Sequence, residues 1–344
     1  MKALVKTKSG PGHVELIDVD EPQPNSNEVK IKVHACGVCG TDLHVLHDTC
    51  INSPPVILGH EFSGIVTEVG SSVKRIKSGD RVVAETTVES CGFCQYCTSG
   101  NHNICANRRG LGRTGDGAFA EYLILRQQLI HLLPESIELN EAALLEPLAC
   151  TVHALCETAS IHAGDTVLIS GPGAIGLFAM QVAKAEGAKV FITGIGRDIE
   201  RLALAKALGS DRVINSDVED LDEILNQETK GNGFDVVIEC SGAPSAIISA
   251  LKNTKRQGQY VQMGLSGKEM PVNFDQIVNR ELRVFGSVNS KWSSWERAIR
   301  LLENKKVMTK PMISQVLSLN HWEIAFENMR LGKGIKTLLI PIES

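Results

Sequence analysis

The chain has 344 residues, and its 35 lysines and arginines against 40 aspartates and glutamates leave a formal net charge of −5. Hydrophobic residues at 43% and charged residues at 22% match an ordinary folded globular protein and argue against disorder. The acidic balance leaves no basic stripe, so neither nucleic acid nor an anionic membrane is an expected partner, and a small molecule is.

At about 150 residues per domain, the length suggests two domains. The opening Met1-Lys2-Ala3-Leu4-Val5-Lys6 lacks a signal-like apolar segment, and no run reaches the roughly 18 apolar residues that cross a bilayer, so the cytoplasm is the expected location. Short strands are predicted over 28–33, 64–69 and 81–84, where alternating or β-branched residues are punctuated by Gly, Pro and Asp.

Between the last of these strands and the middle of the chain lie Cys91, Cys94, Cys97 and Cys105, spaced C-x2-C-x2-C-x7-C. Four thiolates this close suit a closed tetrahedral zinc site, which pins a loop and has no open position for substrate. The close cysteine runs of iron–sulfur proteins have other spacings. A second set, Cys39, His60, Glu61 and Glu146, offers one thiolate, one imidazole and carboxylates, which would leave a metal one position for water or substrate. Spacing alone does not separate this from a surface His–Glu pair or a satisfied core histidine.

After about residue 150 the pattern changes. A buried parallel strand over 165–170 runs into Gly171-Pro172-Gly173-Ala174-Ile175-Gly176 and then a helix of small residues to about Gly187. Strands over 189–193, 234–239 and 259–263 and a helix over 200–208 continue the alternation of a doubly wound α/β sheet. Because G-x-G-x-x-G here follows a strand and opens a helix, it predicts dinucleotide binding: glycine permits the turn and close approach, and the helix N-terminus attracts phosphate.

Cys39-Gly40-Thr41-Asp42-Leu43-His44, Gly59-His60-Glu61-Phe62-Ser63-Gly64, Gly79-Asp80-Arg81-Val82, the four-cysteine loop, Gly117-Ala118-Phe119-Ala120-Glu121-Tyr122 and Glu146-Pro147 follow one another in this order. Together they resemble the zinc-dependent medium-chain alcohol dehydrogenase family over essentially the whole chain. The resemblance implies a GroES-like, mainly β catalytic domain over 1–148, a Rossmann NAD(P)-binding domain over 149–288, and a segment over 289–344 returning to the catalytic domain. It implies an active site in the cleft and two zinc ions per chain. Cys39 and His60 match direct ligands of the catalytic zinc, and Glu61 and Glu146 match the two acids that share its remaining position. Cys36, despite its C-x2-C spacing from Cys39, is read as packing. Thr41 and His44 match the hydroxyl and imidazole that carry the alcohol proton towards solvent. Homodimers or homotetramers through the nucleotide-binding domain are implied as well.

Gly194 stands where NAD-preferring relatives carry Asp, and the connection to Arg201 is longer by two residues than in sorbitol dehydrogenases. Arg197 suits a 2′-phosphate and Asp198 suits a ribose hydroxyl, so the cofactor is read as NAD or NADP. Glu146-Pro147-Leu148-Ala149-Cys150-Thr151-Val152-His153-Ala154 looks closer to the polyol (sorbitol, L-iditol) branch than to threonine dehydrogenases, which carry Gly-Asn-Ala after the corresponding Pro and apolar residue. The expected reaction is oxidation of a secondary alcohol of a polyol to a ketose. The alternatives are L-threonine 3-dehydrogenase and vicinal-diol (butanediol) dehydrogenase. Trp292, Trp295 and Arg297 are read as packing where the chain returns.

Overall fold

Val29, Ile31, Val33, Ala35 and Cys36 are almost wholly buried along Glu28–Gly37, the ten-residue strand around which the first unit is built. The structure, a computed structural model, describes residues 1–341 and divides into two units. The first unit contains Met1–Ala149, Ser290–Glu303 and the chain from Thr309 onward. Its seven-stranded sheet runs Ile130–Leu132, Arg81–Ala84, Glu61–Val69, Glu28–Gly37, Lys336–Ile340, Ile313–Ser318, with Tyr122–Arg126 also paired to Glu28–Gly37. The core beneath it gathers Leu4, Ile31, Val33, Leu58, Phe62, Val82, Phe119 and Leu339.

Register, more than propensity, sets where this sheet delivers its polar residues. The strand predicted over 64–69 begins at Glu61, because Glu61, Phe62 and Ser63 pair antiparallel with Gly37, Cys36 and Ala35. Leu338 and Leu339 pair with Gly37 and Cys36 from the other side. The end of one strand therefore meets the start of a second and the middle of a third, which comes from the far end of the chain.

The second unit contains Cys150–Asn289 and Asn304–Met308, so five residues of the expected return segment group with the nucleotide-binding part. Its six strands are all parallel, in the spatial order Arg212–Asn215, Lys189–Gly194, Thr166–Ser170, Phe234–Glu239, Thr254–Gln262, Arg283–Gly286. In order of appearance this is 3-2-1-4-5-6, the doubly wound arrangement whose carboxyl edge at the switch point accepts a dinucleotide. Val167, Ile169, Val190, Phe191, Ile192, Val236, Val237 and Ile238 are buried, as expected of strands covered on both faces by helices. Helix Leu145–Val152, which spans the point where the chain passes from the first unit to the second, continues into a π-helical turn, His153–Thr158. Among the described residues, no helix is long and apolar enough to cross a membrane.

Candidate active site

Cys39 follows the end of Glu28–Gly37 by two residues, and His60-Glu61 begins the neighbouring strand. Their ligand atoms, one each from Cys39, His60 and Glu61, lie within 4.8 Å of one another. His60 and Glu61 are buried, and Cys39 is half-buried. Asp42, in the first turn of helix Gly40–Leu46, receives the Cys39 amide N–H on Oδ2 at 2.8 Å, which fixes the thiol-bearing residue at the helix start. The other oxygen of this buried carboxylate, Oδ1, faces His60 Nδ1 at 3.7 Å, and neither atom has a hydrogen-bond partner. The Cys39 thiol is the other polar neighbour of the His60 ring.

Burial disfavours a charged His60, but the adjoining Cys39, Asp42 and Glu146 outweigh it and push the imidazole up to about 10. A buried site whose protein groups hold a proton this tightly has a surplus of negative charge. The donors present, one thiolate, one imidazole backed by a carboxylate and one further carboxylate, fit a zinc ion.

Lys336, not singled out by sequence reasoning, completes the site. Its Nζ lies 2.5 and 2.6 Å from the two Glu61 oxygens and 3.1 Å from the Val38 carbonyl, with both side chains almost fully buried. Burial works against the ammonium, yet Glu61 and the neighbouring Cys39 and Glu146 hold it well above the usual lysine range. Gly37 is required beside this pair, since a Cβ there would stand 2.5 Å from Glu61 Oε2. The only trace in the sequence is a lysine opening the apolar stretch Thr337-Leu338-Leu339-Ile340.

The remaining candidates fall at different distances from this centre. Glu146, buried on helix Leu145–Val152, acts electrostatically on His60 and Lys336 but stands outside the tight group of three ligand atoms. Thr41 Oγ1 is 3.6 Å from Cys39 Sγ. His44 is exposed and its Nδ1 is 2.8 Å from Thr49 Oγ1; no hydrogen bond joins His44 to Thr41. Cys36 is in the core, where burial pushes its thiol well above the ordinary value. Trp292 and Trp295 flank His131 with ring centroids 3.9 and 5.5 Å away, and His131 Nδ1 meets Glu296 at 2.7 Å. Both tryptophans belong to helix Trp292–Glu303, packed within the first unit.

Cys91, Cys94, Cys97 and Cys105 form a second cluster in the same unit. Sγ–Sγ separations of 3.9 Å for Cys91–Cys97, 4.0 Å for Cys94–Cys105 and 3.7 Å for Cys91–Cys105 are far longer than a disulfide. They are close to the ~3.8 Å edge of a tetrahedron whose centre is about 2.3 Å from each sulfur, the zinc–thiolate distance. Backbone N–H groups of Phe93 and Cys94 lower the Cys91 thiol to about 6, favouring the thiolate that a metal needs.

In the second unit, the predicted glycine turn links strand Thr166–Ser170 to helix Ala174–Ala185. Gly171 takes φ +96°, and a Cβ on Gly176 would stand 1.9 Å from the Gly171 carbonyl, so both positions demand glycine. Gly173 caps the helix and a Cβ there would meet nothing within 4 Å, which leaves open space at the helix N-terminus beside Ala174 and Ile175. This cradle fits a dinucleotide pyrophosphate. At the next strand end, a Cβ on Gly194 would meet Pro172 Cγ at 2.9 Å and Asp198 Cβ at 3.1 Å. Asp198 accepts the Ile195 N–H at 3.2 Å and stands 3.8 Å from Arg201. Arg197 is exposed.

Comparison with known proteins agrees with both units. Residues 25–135 match the alcohol dehydrogenase GroES-like domain and residues 174–304 match the zinc-binding dehydrogenase family. A sorbitol dehydrogenase of Halalkalibacterium halodurans is 45% identical over 344 residues, covering 100% of both chains. A D-arabitol-phosphate dehydrogenase of Enterococcus avium is 40% identical, covering 98% of this chain and 97% of its own. A crystal structure from Sinorhizobium meliloti, described as a zinc-binding dehydrogenase bound to NADP, is 33% identical and superposes with a TM-score of 0.91 over 99% of each chain. The chain is thus a member of the zinc-dependent, NAD(P)-linked medium-chain alcohol dehydrogenase family, and an oxidoreductase.

Proposed function

We propose that the protein catalyses the reversible oxidation of a secondary alcohol of a polyol, of the sorbitol or L-iditol kind, to the corresponding ketose. The observation that carries this reading is the grouping of Cys39, His60 and Glu61 within 4.8 Å, in a chain 45% identical over its whole length to a sorbitol dehydrogenase. Cys39 and His60, with Glu61 or Glu146, are the residues that would hold the catalytic zinc. When bound there, zinc supplies Lewis-acid polarisation of the substrate hydroxyl, and the dinucleotide is the hydride acceptor. Cys91, Cys94, Cys97 and Cys105 would hold the structural zinc.

The residues of this chain supply orientation and proton handling. Asp42 holds Cys39 at the helix start and presents Oδ1 to His60 Nδ1, leaving Nε2 for the metal. Lys336 restrains Glu61 by both oxygens, so that the buried acid does not close the site against substrate. We assign Thr41, 3.6 Å from Cys39 Sγ, as the group that takes the alcohol proton, and His44, exposed at the surface and bonded to Thr49, as the group that would pass it to water.

At the adenosine end, Arg197 and the absence of an acid at Gly194 favour NADP over NAD, because Asp198 is engaged by the Ile195 N–H and Arg201. The parallel sheet ends in the short edge strand Arg283–Gly286, with Val284 46% exposed, a surface suited to a second copy in a homodimer or homotetramer.

The experiment is a panel of initial rates with zinc-loaded protein on sorbitol, L-iditol, xylitol, D-arabitol phosphate, 2,3-butanediol and L-threonine, each with NAD and with NADP. Selective turnover of free polyols, faster with NADP, is expected. Selective turnover of L-threonine or butanediol would replace the polyol assignment, and preference for NAD would overturn the role given to Arg197.

A further inference from the structure

Glu239 ends strand Phe234–Glu239 at the carboxyl edge of the second unit and has no exposed surface. A carboxylate buried this deeply needs several donors. Here the donors are neutral and come from the loop after its own strand and from the last residue of the neighbouring strand. Oε1 accepts the Ser241 N–H at 2.9 Å and the Ser241 hydroxyl; Oε2 accepts the Gly242 N–H at 2.9 Å and the Gln262 side-chain amide at 2.8 Å. The main-chain carbonyl of the same residue receives the N–H groups of Met263 and Gly264, both at 2.9 Å. One residue thereby ties the loop after its own strand to the loop after the neighbouring strand Thr254–Gln262.

The packing leaves no room for slack. A Cβ on Gly264 would stand 2.6 Å from Glu239 Oε2 and 2.3 Å from the Gly242 nitrogen. On the opposite side, a Cβ on Gly171 would stand 2.8 Å from the Ser241 Cβ and 3.1 Å from its nitrogen. Ser241, the residue Glu239 grips twice, is therefore the wall against which the first glycine of the G-x-G-x-x-G turn is set. The adjoining main chain is tied as well, through the Cys240 N–H to the Ser170 carbonyl at 2.9 Å.

We infer that Glu239 is a positioning residue of the dinucleotide site: by fixing Ser241 and Gly242 it holds the Gly171 turn in the conformation that receives the pyrophosphate. The inference rests on the dinucleotide-binding reading of that turn. Glu239→Gln keeps the shape but replaces one acceptor with an amide donor, which then confronts the Gly242 N–H or the Gln262 amide. The turn would lose its support and the binding free energy would be diverted into ordering it.

The test uses the zinc-loaded full chain and measures dissociation constants of NADPH and NADH by fluorescence and of ADP-ribose by competition. Wild type should bind at least one reduced dinucleotide and ADP-ribose. In Glu239→Gln these constants should rise about tenfold or more, while KM for the alcohol at saturating dinucleotide stays unchanged. A lowered melting temperature with dissociation constants within about twofold of wild type would overturn the inference, since a purely structural carboxylate predicts that pattern. Should Glu239→Gln fail to fold, Ser241→Ala removes one hydroxyl from the same carboxylate; about threefold weaker binding supports the inference and unchanged binding contradicts it. A wild type that bound none of the three probes would refute the dinucleotide reading itself.

Discussion

The first unit carries two cysteine-bearing clusters made in opposite ways. Cys91, Cys94, Cys97 and Cys105 come from one short loop, and their sulfurs already stand at tetrahedral spacing with no help from a distant strand. The Cys39 cluster is assembled by sheet register from a strand end, a strand start and a third strand near the far end of the chain. Four thiolates of one kind close a site. In the proposed reading, one thiolate, one imidazole and a carboxylate restrained by Lys336 would leave the other site open to a substrate, and it is the sheet that brings them together.

If the clusters divide the labour in this way, breaking them should give different phenotypes. Cys39→Ser is expected to lower kcat/KM by roughly 10³-fold or more, corresponding to several kcal/mol of lost transition-state stabilisation, while the melting temperature changes little. Cys97→Ser should lower thermal stability and release the other zinc, with turnover per folded molecule near wild type. Equal loss of turnover in the two variants would dissolve the distinction.

Lys336→Met comes next in size. Removing one partner of a buried ion pair leaves Glu61 uncompensated, at a cost of about 3–5 kcal/mol measured by denaturant unfolding. The variant should also hold the catalytic zinc with altered affinity, as the freed carboxylate becomes available to it. Unfolding within about 1 kcal/mol of wild type would mean that Lys336 does not restrain Glu61. The smallest effect is expected from Asp42→Asn, which removes the carboxylate facing His60: zinc affinity at this site should fall about 10- to 100-fold, read by chelator competition, with no change at the four-cysteine loop.

The same contrast explains what could be read from the sequence. The four-cysteine loop and the glycine turn are local, so spacing and flanking strand and helix patterns were enough to indicate their chemistry. Cys39, His60 and Glu146 are far apart in sequence, and only the family resemblance brought them together. Lys336 escaped because its partner is set by the pairing of Leu338 with Gly37, a register that no local pattern encodes. Glu239 escaped for the same reason, since its donors come from the loop after its own strand and from the end of the neighbouring strand. Among the fold elements, the edge strand Arg283–Gly286 and the strands Ile313–Ser318 and Lys336–Ile340 were not anticipated. The first two bury few side chains and so lack a clear alternating signature. The proposed path from Thr41 to His44 likewise came from resemblance; His44 instead bonds Thr49, a hydroxyl five residues on.

The most direct test of the two-site account is stepwise zinc removal from the wild-type protein with a chelator, following metal content and alcohol oxidation together. The account predicts two zinc ions per chain, loss of activity in step with the first ion to leave from the open Cys39 site, retention of the second by the four cysteines, and recovery on adding zinc back. Full activity after the first ion has left, or a chain that never holds more than one, would contradict it.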